Sequence, residues 1–494
     1  MKLQWNKQYN DAVLIALVVI FPIVLIGEPF ADDFNRMAGV RDYSLDGRYL
    51  TNVVFRFLSQ DNFLFNLAPL PQIMGIVIYS ITLMFIVRKI EIFNRLQSGL
   101  LLFIALTTPY MLAVYPYNYD ALSICIAMSI FSLTPFIFNT DKLNYKYKQM
   151  YISLFYKIII IVVAFLLYQP VLPTFIIFSL FLYINDIDNN KNKNLIFNTF
   201  AIVFSYFIYN KIVLNLFDDA YWYKTQSSVD ITLIPVNIFE NLIPFTLFVF
   251  ERYIGLILIP LFFIIYFSIY AVIVKNSTQE NTSKFKRMLI IPIMLFLTII
   301  FLSIISPRPE NLHLRLVVSI SSALFCLSVI GFKYLKGKIK IYVHSIATAL
   351  VILFSFADLC IFSYAFKLQK EYERMLITTL YDGFNYIDNN LNNGQTKNKM
   401  NIFFVCKNDC LNPYSIKLIN NKLYMADLLY NKTIFNFYTG MNSYLHSYSI
   451  QESVDKLSHG MSNTFLTEDK KVFNHYLYDI YYFKNSQEIY IIIK

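Results

Sequence analysis

The chain has 494 residues, of which 57% are hydrophobic, 18% aromatic and only 15% charged. Water-soluble domains of this size carry more charge, so the composition excludes a soluble enzyme and indicates a polytopic membrane protein with lipid as its main solvent. The net charge of +10 does not point to nucleic acid, because the basic residues sit in short clusters between apolar runs, as in cytoplasmic loops.

At the N-terminus Lys2 and Lys7 precede an apolar run from Val13 to Ile26 with no small-x-small cleavage site after it, which predicts a retained first span. Apolar runs predict eleven spans, near 12–29, 67–87, 99–115, 120–139, 151–168, 171–184, 195–217, 244–274, 288–305, 314–332 and 341–366. Counted from an inside start, the inner segments hold eighteen lysines and arginines, whereas the short outer segments hold six: Arg36, Arg41, Arg48, Arg56, Lys224 and Arg308. This asymmetry places the N-terminus in the cytoplasm and, with an odd number of spans, the C-terminus outside. Gln169-Pro170 and Pro173 fit a tight outer turn or a kink; two spans are retained here because losing one breaks the charge alternation.

From about Lys367 the composition turns to Asn, Lys, Asp and Tyr, with strand-like runs at Asn401–Val405 and Glu488–Ile493. The predicted organisation is therefore a transmembrane domain over 1–366 and a small soluble α/β domain over 367–494. Of the five cysteines, Cys125, Cys326 and Cys360 lie in apolar runs, and Cys406 and Cys410 fit a small disulfide loop or free thiols equally well.

Residues 30–66 form the first outer loop, and it concentrates acids and arginines in a chain otherwise poor in charge. Asp32 and Asp33 follow the first span directly, where an acid fits either a solvated loop or a catalytic base; Arg36 and the Asp46-Gly47-Arg48 piece come next. Leu50, Val53, Val54, Phe57 and Leu58 recur at helical spacing while Thr51, Asn52, Arg56 and Ser59 face the other way, which predicts an amphipathic helix on the outer leaflet, with Asp46 as a possible N-cap. A carboxylate beside arginines at the membrane surface suits transfer of a group from a lipid-phosphate donor. The acid takes a proton from an acceptor hydroxyl, and the arginines hold the phosphate leaving group.

Further outer segments add to this set. Thr108-Pro109-Tyr110 and Tyr115-Pro116-Tyr117-Asn118-Tyr119-Asp120 fit an aromatic belt or a sugar platform, with Asp120 a helix cap or a sugar ligand. Ser306 to Arg315 holds Arg308, His313 and Arg315, which suit a lipid phosphate or ordinary snorkelling to headgroups. Lys211 lies in the outer part of its span as a further phosphate contact, and the adjacent Glu251 and Arg252 fall inside a run. The five histidines show no metal-ligand spacing; the paired acids are compatible with a divalent metal, but nothing requires a cofactor.

Asp32-Asp33-x-x-Arg36, Asp46-Gly47-Arg48, Pro69-Leu70-Pro71-Gln72-Ile73, Thr108-Pro109-Tyr110 and Tyr117-x-Tyr119-Asp120-Ala121-Leu122, in this order on one membrane face, resemble the GtrII family of serotype-converting O-antigen glucosyltransferases. Two positions differ from the family pattern: Tyr49 follows Asp-Gly-Arg where proline is frequent, and Thr108 stands where asparagine is common. The resemblance implies a GT-C-like glycosyltransferase of the bacterial inner membrane; the apolar runs and charge pattern above make it an all-α membrane protein of about eleven transmembrane helices with its C-terminal α/β domain in the periplasm. Its donor would be polyprenyl-phosphate-glucose, made and flipped by partner membrane proteins, and its acceptor a lipid-linked O-antigen or lipopolysaccharide chain. By the same resemblance Asp32 or Asp33 would be the base, Arg36 and Arg48 would contact the donor phosphate, and Asp120 with Tyr117 would line the sugar site. Arg308, His313, Arg315 and Lys211 would supplement the charge stabilisation. A lipid-linked sugar transporter or flippase, and a polysaccharide polymerase, are the alternative functions for such a chain.

Overall fold

Lipid offers no hydrogen bonds to a backbone, so apolar runs that enter it fold as helices. A computed structural model describes residues 7–27, 33, 36, 43–44, 46–61, 64–90, 93–137, 147–185, 191–216, 234–251, 257–275, 281–305, 314–391, 401–406, 417, 449–450, 471–474, 478–483 and 488–493. Among these, the main helices are α1 (Lys7–Val24), α2 (Tyr49–Ser59), α3 (Leu70–Ile90), α4 (Arg95–Thr107), α5 (Asp120–Ile137), α6 (Tyr147–Leu167) and α7 (Leu172–Asn185). They continue with α8 (Lys191–Ile208), α9 (Ile234–Glu251), α10 (Leu258–Lys275), α11 (Asn281–Ile305), α12 (Ser319–Tyr334) and α13 (Lys338–Leu391). Among the described residues, five helical stretches are long and apolar enough to cross a membrane: Lys7–Val24, Leu70–Ile90, Asn194–Val213, Arg315–Tyr334 and Lys338–Leu376. Six further apolar helices are shorter.

The chain divides into two compact units, one of Met1–Gly27 with Arg36–Ile361 and one of Glu28–Asn35 with Phe362–Lys494. In the first, α3 packs between α1 and α5, and α5 continues the layer onto α6 and α7. Helix α12 is the centre of the bundle, lying against α4, α7 and α10, and every residue from Ser319 to Phe332 is buried. A helix apolar all round belongs in such a position. Its serines serve as polar links between helices: Ser322 Oγ lies 3.1 Å from Tyr79 Oη of α3, and Thr174 of α7 donates to Ser319 Oγ at 3.0 Å.

Close approach of α3 and α5 depends on Gly75. A Cβ there would lie 3.0 Å from the Ala121 carbonyl oxygen and 3.1 Å from the Leu122 Cα, both backbone atoms that cannot move aside alone. Gly75→Leu is therefore expected to prevent accumulation of folded protein, measured as the monodisperse fraction after detergent extraction, while Gly99→Leu, where only Ile15 Cδ1 lies within 4 Å at 3.9 Å, is tolerated.

Polar contacts gather at both ends of the first unit's helices. At one end Arg95 holds Asp11 through two hydrogen bonds, Lys89 donates to the Phe136 carbonyl, Tyr334 donates to Asn185 Oδ1 at 2.8 Å, and Lys340 donates to Tyr270. These are the helix ends where the inner lysines and arginines were expected. The opposite end carries the site described below.

Several expectations change. Within the run 244–274 the structure describes α9, which starts earlier, at Ile234, and is given to Glu251, and α10 from Leu258; residues 252–256 lie outside the described residues. The helix that carries the last apolar run does not end near 366, because α13 runs unbroken to Leu391. Ion pairs Lys367–Glu371 and Lys370–Glu373 at helical spacing carry the helix on where the apolar pattern ends, so the change in composition marks a change of surroundings and not the end of an element. Gln169-Pro170 forms a 3-10 turn between two separate helices, α6 and α7.

In the second unit, described strands β1 (Asn401–Cys406), β2 (Ser449–Ile450), β3 (Lys471–Asn474), β4 (Tyr478–Phe483) and β5 (Glu488–Ile493) form a mixed sheet of order β2-β1-β5-β4-β3. β1 is parallel to β2 and β5, while β4 is antiparallel to β3 and β5. Cys406 ends β1; Cys410 lies outside the described residues.

Candidate active site

The site begins with a turn. Asp46, Gly47 and Arg48 follow Tyr43 and Ser44 in a tight reversal in which Arg48 N donates to the Tyr43 carbonyl at 2.9 Å and Gly47 N to that of Ser44 at 2.9 Å. Gly47 has φ +71°, a left-handed conformation that an Asp-Gly pair adopts readily. A side chain has no room there, since a Cβ would stand 2.6 Å from Tyr209 Oη and 3.0 Å from Leu214 Cδ2. The Gly47 carbonyl accepts hydrogen bonds from Tyr209 Oη at 3.0 Å and Gln169 Nε2 at 3.5 Å, and Gln169 and Tyr209 also contact each other. The turn is thus clamped by the 3-10 segment after α6 and by Tyr209, where α8 passes into a π-helical turn.

Arg48 precedes α2, and no side chain caps that helix; the expected N-cap Asp46 instead faces Arg36 at 3.8 Å. The burial pattern of α2 is also instructive. Thr51 and Asn52 point inward, Thr51 donating to the Leu167 carbonyl at 3.0 Å and Asn52 Oδ1 accepting from Tyr43 N at 3.0 Å, while Val53 and Phe57 are 60% and 81% exposed. Arg56 is exposed as well. Exposed Val53 and Phe57 give α2 an apolar outer surface that suits contact with lipid, while Phe55 is fully buried and packs inward with Thr51 and Asn52.

Asp120, the first residue of α5 and fully buried, is the hub. Three guanidiniums surround its carboxylate: Arg315 at 2.9 Å with a hydrogen bond, Arg36 at 3.4 Å and Arg48 at 3.6 Å. Each arginine lies over its own tyrosine ring, Arg36 over Tyr43 at 4.3 Å, Arg48 over Tyr168 at 4.4 Å and Arg315 over Tyr117 at 4.6 Å. Cation–π contact and the N-terminal dipole of α5 hold the charges in place. Three arginines against the carboxylates of Asp46 and Asp120 leave a formal charge of +1 on this cluster. Buried ion clusters contribute little net stability, whereas a preorganised excess of arginine makes a seat for an anion. Among the described residues there is no group of three or more His, Cys, Asp and Glu that could hold a metal ion.

The residues singled out in the sequence separate into three groups. Arg36, Asp46, Arg48, Tyr117, Asp120 and Arg315 come together in the cluster. Asp120 directs its carboxylate oxygens at the three arginines. Lys211 stands exposed, two residues beyond the buried Tyr209, and Asp33 is buried but groups with the second unit, so the loop 30–66 is divided between the units instead of forming one piece. Asp32, Arg41, Lys224, Arg252, Arg308 and His313 lie outside the described residues. Sequence reasoning missed Tyr43, Tyr168, Gln169 and Tyr209; the available signal was Gln169, a polar residue at an apolar boundary where a turn alone does not need one.

Comparison with known proteins supplies a family match. The model of the family described as glucosyl transferase GtrII matches residues 21–332. An uncharacterized 55.3 kDa protein in the gtrB 5' region of Salmonella phage P22 is 27% identical over 222 residues, which covers 43% of this chain and 44% of that protein. The chain therefore spans less than half the length of this relative. No solved structure matches.

Proposed function

Because the chain belongs to the GtrII glucosyl transferase family, we propose that it moves glucose, or a related hexose, from a polyprenyl-phosphate carrier to O-antigen or lipopolysaccharide on the periplasmic face of the bacterial inner membrane. The N-terminus is cytoplasmic and the C-terminal α/β domain periplasmic. The observation that carries this proposal is the cluster of Arg36, Arg48 and Arg315 around Asp120, set at the helix ends opposite those that gather Lys89, Arg95 and Lys340.

The reaction is a single displacement. An acceptor hydroxyl oxygen bonds to the anomeric carbon as the bond from that carbon to the phosphate oxygen breaks, and the electron pair leaves with the lipid phosphate. The phosphate diester carries one negative charge and the departing monoester up to two, so the charge to be stabilised grows along the reaction. Arginines fixed by Asp120 and three tyrosines meet that increase without reorganising. The acceptor's proton passes to a carboxylate, Asp33 or its neighbour Asp32, and the phosphate needs no protonation to depart. The donor is supplied by membrane proteins that make and flip the lipid-linked sugar, and no further cofactor is invoked. The exposed apolar face of α2 rests in the outer leaflet, beside the donor's lipid.

Membranes bearing Asp33→Asn and Asp32→Asn, compared at matched expression, test the base. In one of them transfer of labelled glucose is expected to fall by about 10²–10⁴-fold with little change in the donor KM. Full activity in both variants would remove these acids from the chemistry.

A further inference from the structure

Two polar groups at the arginine cluster are left over by its internal pairing. Tyr168 is fully buried, and its hydroxyl has no hydrogen-bond partner among the described residues. Arg48 Nε, on the guanidinium that lies over the Tyr168 ring, is buried and likewise lacks a hydrogen-bond partner. The charged groups facing this hydroxyl are Arg315, Arg48, Asp120 and Asp46. A buried hydroxyl without a partner is costly, and natural chains retain one where a ligand completes it. Both leftover groups can donate, and both stand in a cluster with an excess of positive charge.

We propose that Tyr168 is a phosphate-binding residue, its hydroxyl donating a hydrogen bond to a phosphate oxygen of the lipid carrier next to one that accepts from Arg48 Nε. This rests on the proposed function and adds to it a residue outside the arginine set. Phosphate on a prenyl lipid is the ligand chemistry that matches the pair: an anion with several acceptor oxygens at one centre, presented at a helix end. A sugar hydroxyl matches less well, since a cationic donor gains most from a charged acceptor. A phenol keeps its proton at neutral pH, so the Tyr168 hydroxyl can donate. The ring serves separately as the platform for Arg48, which allows the two roles to be tested apart.

The test is binding of farnesyl phosphate, with farnesol as the control lacking phosphate, to the detergent-solubilised full chain and to Tyr168→Phe. Phenylalanine keeps the platform and deletes the donor. Farnesyl phosphate is expected to bind roughly tenfold or more weakly to the variant, farnesol equally to both, and the ligand-free variant to melt at or above the wild-type temperature because an unsatisfied group has been removed. A merely structural tyrosine predicts the reverse: a lower melting temperature and unchanged phosphate binding, a result that overturns the proposal. If Tyr168→Phe does not fold, Tyr168→His, which retains a ring donor, is the second variant, and its loss of all preference for farnesyl phosphate over farnesol would also overturn it. Wild-type protein that shows no preference for farnesyl phosphate would instead overturn the lipid-phosphate donor itself, and this inference with it.

Discussion

Asp120→Asn is expected to abolish transfer and to destabilise the protein by about 3–5 kcal/mol, the range for removing one partner of a buried ion pair. The substitution conserves shape and removes one charge, taking the formal charge of the cluster from +1 to +2 with three guanidiniums still enclosed. Repulsion then separates the arginines that the carboxylate had gathered. Thermal unfolding in detergent measures the first effect and glucose transfer the second. The combination Asp120→Asn with Arg36→Gln separates them: it restores the formal charge to +1 and should recover part of the lost stability, yet not the activity, because one phosphate ligand is gone. A double variant no more stable than Asp120→Asn alone would show that charge balance is not what Asp120 provides.

Gly47→Ala is the second large effect. Alanine meets a φ of +71°, which costs about 1 kcal/mol or more in a non-glycine residue, and places a Cβ 2.6 Å from Tyr209 Oη. Tyr209 cannot simply swing away, since its hydroxyl is held by the Gly47 carbonyl and by Gln169. The turn shifts instead, and Asp46 and Arg48 shift with it. Displacement of a positioning group by about 1 Å costs on the order of 10²-fold in rate, and kcat for glucose transfer is expected to fall by that amount while the protein remains folded. Tyr209→Phe in the Gly47→Ala background removes the obstructing oxygen and is expected to recover some of the rate. If Gly47→Ala retains full activity, the turn is not what places Arg48.

What could be read from the sequence follows the range of the forces involved. Apolar runs and the distribution of lysine and arginine are local signals, and they located the helices that carry the site. The Asp46-Gly47-Arg48 piece was legible because charge is conspicuous in an apolar chain and Asp-Gly signals a turn. Asp120 was legible as a residue but its partners were not, because the closest, Arg315, is 195 positions away, beyond the reach of a local pattern. Tyr168 and Tyr209 were hidden by their surroundings: at a membrane boundary a tyrosine reads as part of the aromatic belt, and only three-dimensional packing shows one under an arginine and the other against a glycine carbonyl. The division of the loop 30–66 between two units, and the continuation of α13 past Phe366, likewise arise from packing and helix propagation that composition does not register.

Whether the arginine cluster receives a lipid phosphate is tested by transfer of labelled glucose from polyprenyl-phosphate-glucose to lipopolysaccharide. The comparison is between membranes carrying wild-type protein and membranes carrying Arg315→Gln at matched expression. Wild-type protein is expected to transfer glucose, and the variant to show a raised donor KM together with a lowered kcat, because the contact to the phosphate strengthens as charge develops. No transfer by the wild type under conditions where a related glucosyltransferase is active, or undiminished transfer by Arg315→Gln, would contradict a lipid phosphate at the cluster.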